Sequence, residues 1–246
     1  MSLAFCVYNL AIEVVGALNV FTQIADHLGL ADQRVMVGAL ERKWSRRLPL
    51  DLSDSTNSLF SAMDNFAFTI AFGDQNAAML RNSAAYVSYM RLAGRDSMSL
   101  FSPQQADLRD FAERFMPGLP AKYGFGTDWS RPGSFCGYVH GFEDSRSLGG
   151  DHLGQSQAGR WGELFDSEPA FFDQGRFRDV YSVNLLTSAH LNHKTRDGTV
   201  RDLILEHADW GVIRPLADNW FMWWVPPEGI EQARSEFLSR GLLENV

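Results

Sequence analysis

Hydrophobic and polar positions change period several times along this chain, and the changes mark its elements. From Leu10 to Leu28 apolar residues recur at helical spacing (Val14, Val15, Leu18, Phe21, Ile24, Leu28), predicting an amphipathic helix that ends near Gly29. The whole stretch 1–25 reads as buried or amphipathic helix. A second helix is predicted from Asp32 to Leu48, with Val35, Val37, Leu40 and Trp44 inward. Its polar side carries Glu41, Arg42, Lys43, Arg46 and Arg47, read as a solvated helix end rather than a phosphate site. Between Leu59 and Phe72 the period falls to two (Phe66, Phe68, Ile70, Phe72), which predicts a strand. Tyr86 to Leu92 fits a strand or a short helix. Ser102-Pro103-Gln104-Gln105 has the signature of a helix start, with Ser102 as cap and Leu108, Phe111, Ala112 and Phe115 inward, and Pro117-Gly118 ends it.

The C-terminal third is the most regular part. A strand is predicted at Val180–Leu186, then a short helix capped by Thr187 or Ser188 through His190 and Leu191. Thr199-Val200-Arg201-Asp202 is a capping box with Asp in the Glu position, opening a helix to about His207. Ala217-Asp218-Asn219 turns the chain into the strand Trp220-Phe221-Met222-Trp223-Trp224. Its alternation sets Trp220, Met222 and Trp224 on one face and Phe221 and Trp223 on the other. Pro226-Pro227 ends that strand and starts a helix with Ile230, Ala233, Phe237 and Leu238 inward and Gly241 as its C-terminal cap. Strands followed by helices in this order predict an α+β fold with mixed or antiparallel sheets. The chain divides into N-terminal (1–118) and C-terminal (119–246) α+β halves near Pro117–Lys122, or forms one domain.

Composition adds two constraints. With 45% hydrophobic residues among 246, the chain can bury a full core. Its 22 basic and 30 acidic residues give a net charge of −8, which argues against direct nucleic-acid binding and suits a basic protein partner. Cys6 and Cys136 match no metal or redox spacing and read as reduced thiols of a cytosolic protein. No Lys or Arg precedes Arg34, so a signal peptide's basic start is missing, and Glu13 among Asn9, Asn19 and Gln23 breaks any membrane span.

A search for chemistry yields no catalytic set. His190, His193 and His207 could be imagined around zinc, but Asp197-Gly198 interrupts the helix between them and no cysteine completes the set. Capping or surface roles are expected for them, and His140 and His152 are equally unsupported. Gly124-x-Gly126 lacks the third glycine of a dinucleotide loop, and no nucleophile elbow or Walker lysine occurs. No catalytic residue, metal or cofactor is expected.

Acidity concentrates between Glu143 and Asp173. Seven acids (Glu143, Asp144, Asp151, Glu163, Asp166, Glu168, Asp173) face two arginines (Arg146, Arg160), with Trp161, Phe165, Phe171 and Phe172 interleaved. Such a stretch is either a solvated loop over core aromatics or a partner surface in which aromatics anchor and charges select. The contact candidates are Glu143, Asp144, Asp151, Trp161, Glu163 and Asp166.

One resemblance covers about 65 of the 246 residues. Asp179-Val180-Tyr181-x-Val183-Asn184-Leu185-Leu186 precedes His190-Leu191. Ile213-Arg214-Pro215-Leu216-x-Asp218, Trp220, Trp223, Val225-Pro226-Pro227 and Gly241-Leu242-Leu243 follow. In this order and spacing the stretch resembles the immunity protein 52 family of bacterial polymorphic-toxin and type VI secretion systems. The resemblance implies a cytosolic inhibitor without enzymatic activity, paired with a secreted toxin, in particular a basic DNase effector domain. Two other classes stay open at this point: a metal-assisted hydrolase, and an adaptor of a secretion system that binds no toxin.

Overall fold

The fold is described from a computed structural model. It covers residues 2–10, 14–29, 35–39, 44–48, 66–73, 83–92, 95–103, 107–129, 135, 138–139, 160–164, 167–168 and 170–243. Twelve strands are present among these: β1 (Leu3–Leu10), β2 (Val35–Ala39), β3 (Trp44–Leu48), β4 (Phe66–Gly73), β5 (Ser83–Leu92), β6 (Arg95–Ser102), β7 (Ala121–Thr127), β8 (Val183–Leu186), β9 (Lys194–Thr195), β10 (Gly198–Thr199), β11 (Val212–Ala217) and β12 (Trp220–Trp224). The principal helices are α1 (Val14–His27), α2 (Leu108–Phe115), α3 (Ser188–Leu191), α4 (Val200–Glu206) and α5 (Pro227–Ser239). The fold is α+β.

Ten strands form one antiparallel sheet in the order β11-β12-β8-β7-β1-β6-β5-β4-β2-β3, and β9 and β10 form a separate small hairpin. β1 pairs with β6 on one side and β7 on the other, so strands from before and after residue 118 share it. On one face, Leu3, Phe5 and Val7 of β1 meet Phe21, Ile24 and Leu28 of α1 and Phe111, Ala112 and Phe115 of α2. On the other, Ala4, Cys6 and Tyr8 meet a larger aromatic cluster closed by α3, α4 and α5. Helices therefore cover the sheet on both faces. Among the described residues no helix is long and apolar enough to cross a membrane.

Several expectations are corrected. Residues 3–10 are a central strand. A strand buried on both faces reads as a continuous apolar run, and such a run carries no period to separate it from buried helix. Only the later part of the apolar N-terminal stretch is helical, ending at Gly29 with φ +70°. The predicted helix at 32–48 is instead the β2–β3 hairpin, pairing Val35 with Leu48 and Ala39 with Trp44. Val35 and Val37, both β-branched and two apart, were a strand signal. Ser102 ends β6, and α2 is capped five residues later by Asp107, whose carboxylate accepts from the Arg109 and Asp110 amides at 2.8 and 3.2 Å. β6 escaped notice because three serines dilute its alternation, and β11 because Arg214 and Pro215 interrupt it. Leu238 is 41% exposed rather than inward.

The C-terminal expectations agree closely with the structure. Thr199 and Asp202 form the reciprocal capping box, with the Thr199 amide donating to Asp202 at 2.9 Å. Trp220, Met222 and Trp224 pack on the first face, and Phe221 and Trp223 on the second. The end of α5 is a Schellman cap: Gly241 sits at φ +67°, and Leu242 N–H donates to Phe237 C=O at 2.9 Å. Gly126 of β7 lies beneath the Phe5 ring, where a Cβ would collide. Close backbone approach within a strand is thus the role of the Gly124-x-Gly126 pair.

Candidate functional site

Trp161 and residues 170–181 cover part of the second face of the sheet, and a buried arginine pins them there. Arg178 is 4% exposed. Its guanidinium lies 3.9 Å from the Tyr138 ring centroid and 4.7 Å from that of Trp161. It donates to the Tyr8 hydroxyl, to the Tyr138 carbonyl, and to the Val139 carbonyl at 3.3 Å. Tyr8 also donates to the Val139 carbonyl at 2.8 Å. One charge, one phenol and two carbonyls thus tie β1, residues 138–139 and residue 178 together, with the ring faces of Tyr138 and Trp161 against the guanidinium. Burial raises the pKa values of Tyr8, Tyr123, Tyr138 and Tyr181, so all four phenols stay neutral donors.

The next residue turns outward. Asp179 accepts from the Val180 amide and from Arg234 Nε, both at 2.7 Å, which staples α5 to this segment. Asn184, fully buried in β8, brackets the turn before it. Its Oδ1 accepts from the Tyr181 amide at 3.0 Å and its Nδ2 donates to the Tyr181 carbonyl at 2.8 Å. The burial of Arg178 has no local signal in the sequence, where it lies between Arg176-Phe177 and Asp179. Of the motif residues behind the family resemblance, Asn184, Trp220 and Trp223 are wholly interior.

The contact candidates divide three ways. Glu143, Asp144, Asp151 and Asp166 lie outside the described residues. Trp161 is 1% exposed and packs on Tyr8, Phe171 and Phe172, so it anchors the segment from below instead of offering a ring to solvent. Glu163 is exposed. Two further acids of the stretch are bound internally, Glu168 to Arg176 and Asp173 to Lys122, each at 2.6 Å. Exposed pairs of this kind stabilise little but fix where the segment sits.

The three histidines do not converge. Among the described residues no three His, Cys, Asp or Glu side chains approach one another as metal ligands would. His193 Nδ1 bonds the Gln174 carbonyl at 2.7 Å, and His207 stacks on Trp210 at 3.9 Å. His190 caps α3, accepting from the Thr187 amide at 3.3 Å, but it is fully buried and not at the surface. Its ring packs against Tyr123 and Phe177. Burial lowers its pKa to about 3, so it is neutral at pH 7.

A pH dependence follows. An unfolded histidine titrates near 6.5, so between about pH 6.5 and 3 the unfolded chain binds a proton that the folded chain refuses. His190's contribution is full above pH 6.5 and falls as the solution is acidified. Going from pH 7.5 to 5 should remove about 2 kcal/mol through this group. The variant His190→Gln, whose amide can keep the capping bond, should lose about 2 kcal/mol less over that interval in urea melts. Equal losses in both proteins would show that His190 is not the acid-sensitive group.

No family model matches the chain, and no curated protein matches it. Among solved structures the chain is similar to a type VI secretion system protein of Pseudomonas aeruginosa, at 11% identity and TM-score 0.46. That match covers 90% of this chain and 64% of the other, so the chain spans less than two thirds of the neighbour's length. It is also similar to a chain of the crystal structure of the toxic C-terminal tip of CdiA from Pseudomonas aeruginosa in complex with immune protein, at 13% identity and TM-score 0.30, over 52% of this chain and 86% of that one.

Proposed function

We propose that this chain is an immunity protein that binds a cognate toxin and neutralises it by stoichiometric association, without turnover. The observation that carries the reading is the ordered set of pieces from Asp179 to Leu243 that resembles the immunity protein 52 family. Those pieces fall in the stretch that runs from just before β8 to just after α5, on β8, α3, β11, β12 and the two ends of α5. In finer detail, the toxin is a type VI secretion effector with a basic DNase domain, and the inhibitor acts in the cytosol. The charge of −8 supports this, since an acidic inhibitor is drawn to a basic nuclease and raises the encounter rate.

The acidic stretch Glu143, Asp144, Asp151, Glu163 and Asp166 is proposed as one contact surface, on composition and on the exposure of Glu163. Reversing Asp144, Asp151 and Glu163 to lysine should slow association roughly tenfold at low salt and weaken protection in co-expression. Thermal unfolding should be unchanged, because surface substitutions cost little. Undiminished protection by the triple variant would remove this surface.

A further inference from the structure

The two ends of the ten-stranded sheet are finished differently. β3, at one end, has the sequence Trp44-Ser45-Arg46-Arg47-Leu48, and charge on an edge strand discourages pairing with another chain. β11, at the other end, pairs only with β12 among the described residues. Its later half is blunted by Pro215, which has no N–H to offer, and by a bulge between Pro215 and Ala217. Its opening half, Val212–Arg214, has neither device. Val212 is 43% exposed, a β-branched residue left uncovered on a terminal strand.

The surroundings of that half are apolar and acidic. Leu205, at 66%, is the most exposed large hydrophobic among the described residues and belongs to the last turn of α4. His207 stacks on Trp210 at 3.9 Å, drawing the end of α4 onto the short 3-10 turn Ala208–Trp210 that feeds β11. The first turn of α5 packs there too: a Cβ at Gly229 would come within 2.5 Å of the Asp209 carbonyl. Glu206, Asp209 and Glu228 are thereby gathered around the start of β11. Neither Ile204–Ile213 nor Trp224–Ala233 contains a lysine or arginine. The nearest cation on the strand, Arg214, pairs with Glu113 at 3.0 Å, and Arg234 of α5 holds Asp179 and Glu231.

We infer that the opening half of β11, with Leu205 and the rim of Glu206, Asp209 and Glu228, is a docking edge for an extended, lysine- or arginine-bearing segment of the toxin. The segment adds as a strand beside Val212–Arg214, and backbone hydrogen bonds supply the register. Val212 and Leu205 receive its apolar side chains and the rim receives its cations. This inference rests on the immunity reading above and gives that reading a second contact surface.

The test is hydrogen exchange on the full chain, free and mixed with a catalytically inactive form of the proposed cognate toxin domain. Among the Val212, Ile213 and Arg214 amides, those directed away from β12 should exchange at least about tenfold more slowly in the complex. Leu205→Ser with Val212→Thr should weaken Kd roughly tenfold, and Glu206→Lys with Asp209→Lys and Glu228→Lys should slow association and flatten its salt dependence. A complex that forms while those outward amides exchange at their free rates would overturn the docking edge and leave the immunity reading standing. Tighter binding by the charge-reversed variant would overturn the basic partner. No complex at micromolar concentrations would overturn the immunity reading itself, and the edge with it.

Discussion

Replacing Arg178 with alanine is expected to destabilise the chain by about 3 to 5 kcal/mol. Two contributions add. The Tyr138 carbonyl loses its guanidinium donor in a buried setting, and an orphaned acceptor costs about 1 to 3 kcal/mol. The ring faces of Tyr138 and Trp161 lose a cation 3.9 and 4.7 Å away, and the emptied volume leaves them underpacked. Tyr8 keeps its own bond to Val139, so the loss is partial on that side. Arg178→Met separates charge from volume: it fills the space, relieves the desolvation of the cation, and should cost less than alanine. Arg178→Lys keeps the charge but not the fork that reaches two carbonyls and a phenol together, so it should also destabilise. Urea unfolding followed by tryptophan fluorescence measures all three. An alanine variant within about 1 kcal/mol of the parent would mean that the segment is held by apolar packing alone.

Trp223→Ala is the second large effect, again about 3 to 5 kcal/mol. Trp223 is fully buried, stacks on Phe237 at 5.2 Å, and donates its indole N–H to the Trp210 carbonyl at 2.8 Å. Its removal opens a cavity under α5 and orphans a carbonyl in the same place. The neighbouring Trp224 points to the opposite face and is only partly buried, so Trp224→Ala should cost clearly less. The contrast between adjacent tryptophans is the informative readout. Equal losses would contradict the assignment of the two faces.

The parts of the fold that were legible in the sequence are those fixed by local contacts. The Thr199–Asp202 box spans four residues, and the alternation of Trp220 to Trp224 is visible in five. The closing helix announces itself by Pro226-Pro227 and Gly241 for the same reason. What was misread depends on distant partners. β1 is a strand because β6 and β7 flank it, and nothing within residues 3–10 distinguishes that burial from the burial of a helix. Arg178 reaches Tyr8 across 170 residues of sequence, a juxtaposition that no spacing rule anticipates. The candidate surface was legible only as composition. Acids were counted in a stretch, but whether an aromatic there faces in or out is decided by tertiary packing. Trp161 faces in, under the cover of Phe171 and Phe172.

Inhibition by association makes one demand that neither a hydrolase nor an adaptor shares: protection must scale with the amount of inhibitor bound to toxin. The most direct measurement is therefore titrated co-expression of this chain with its proposed cognate toxin, followed by size-exclusion chromatography of the mixture. The account predicts survival once the chain equals the toxin in amount, and a stable complex whose toxin is inactive until the two are separated. Undiminished toxicity with both proteins soluble and in excess, or protection at trace amounts of this chain with no complex, would contradict it.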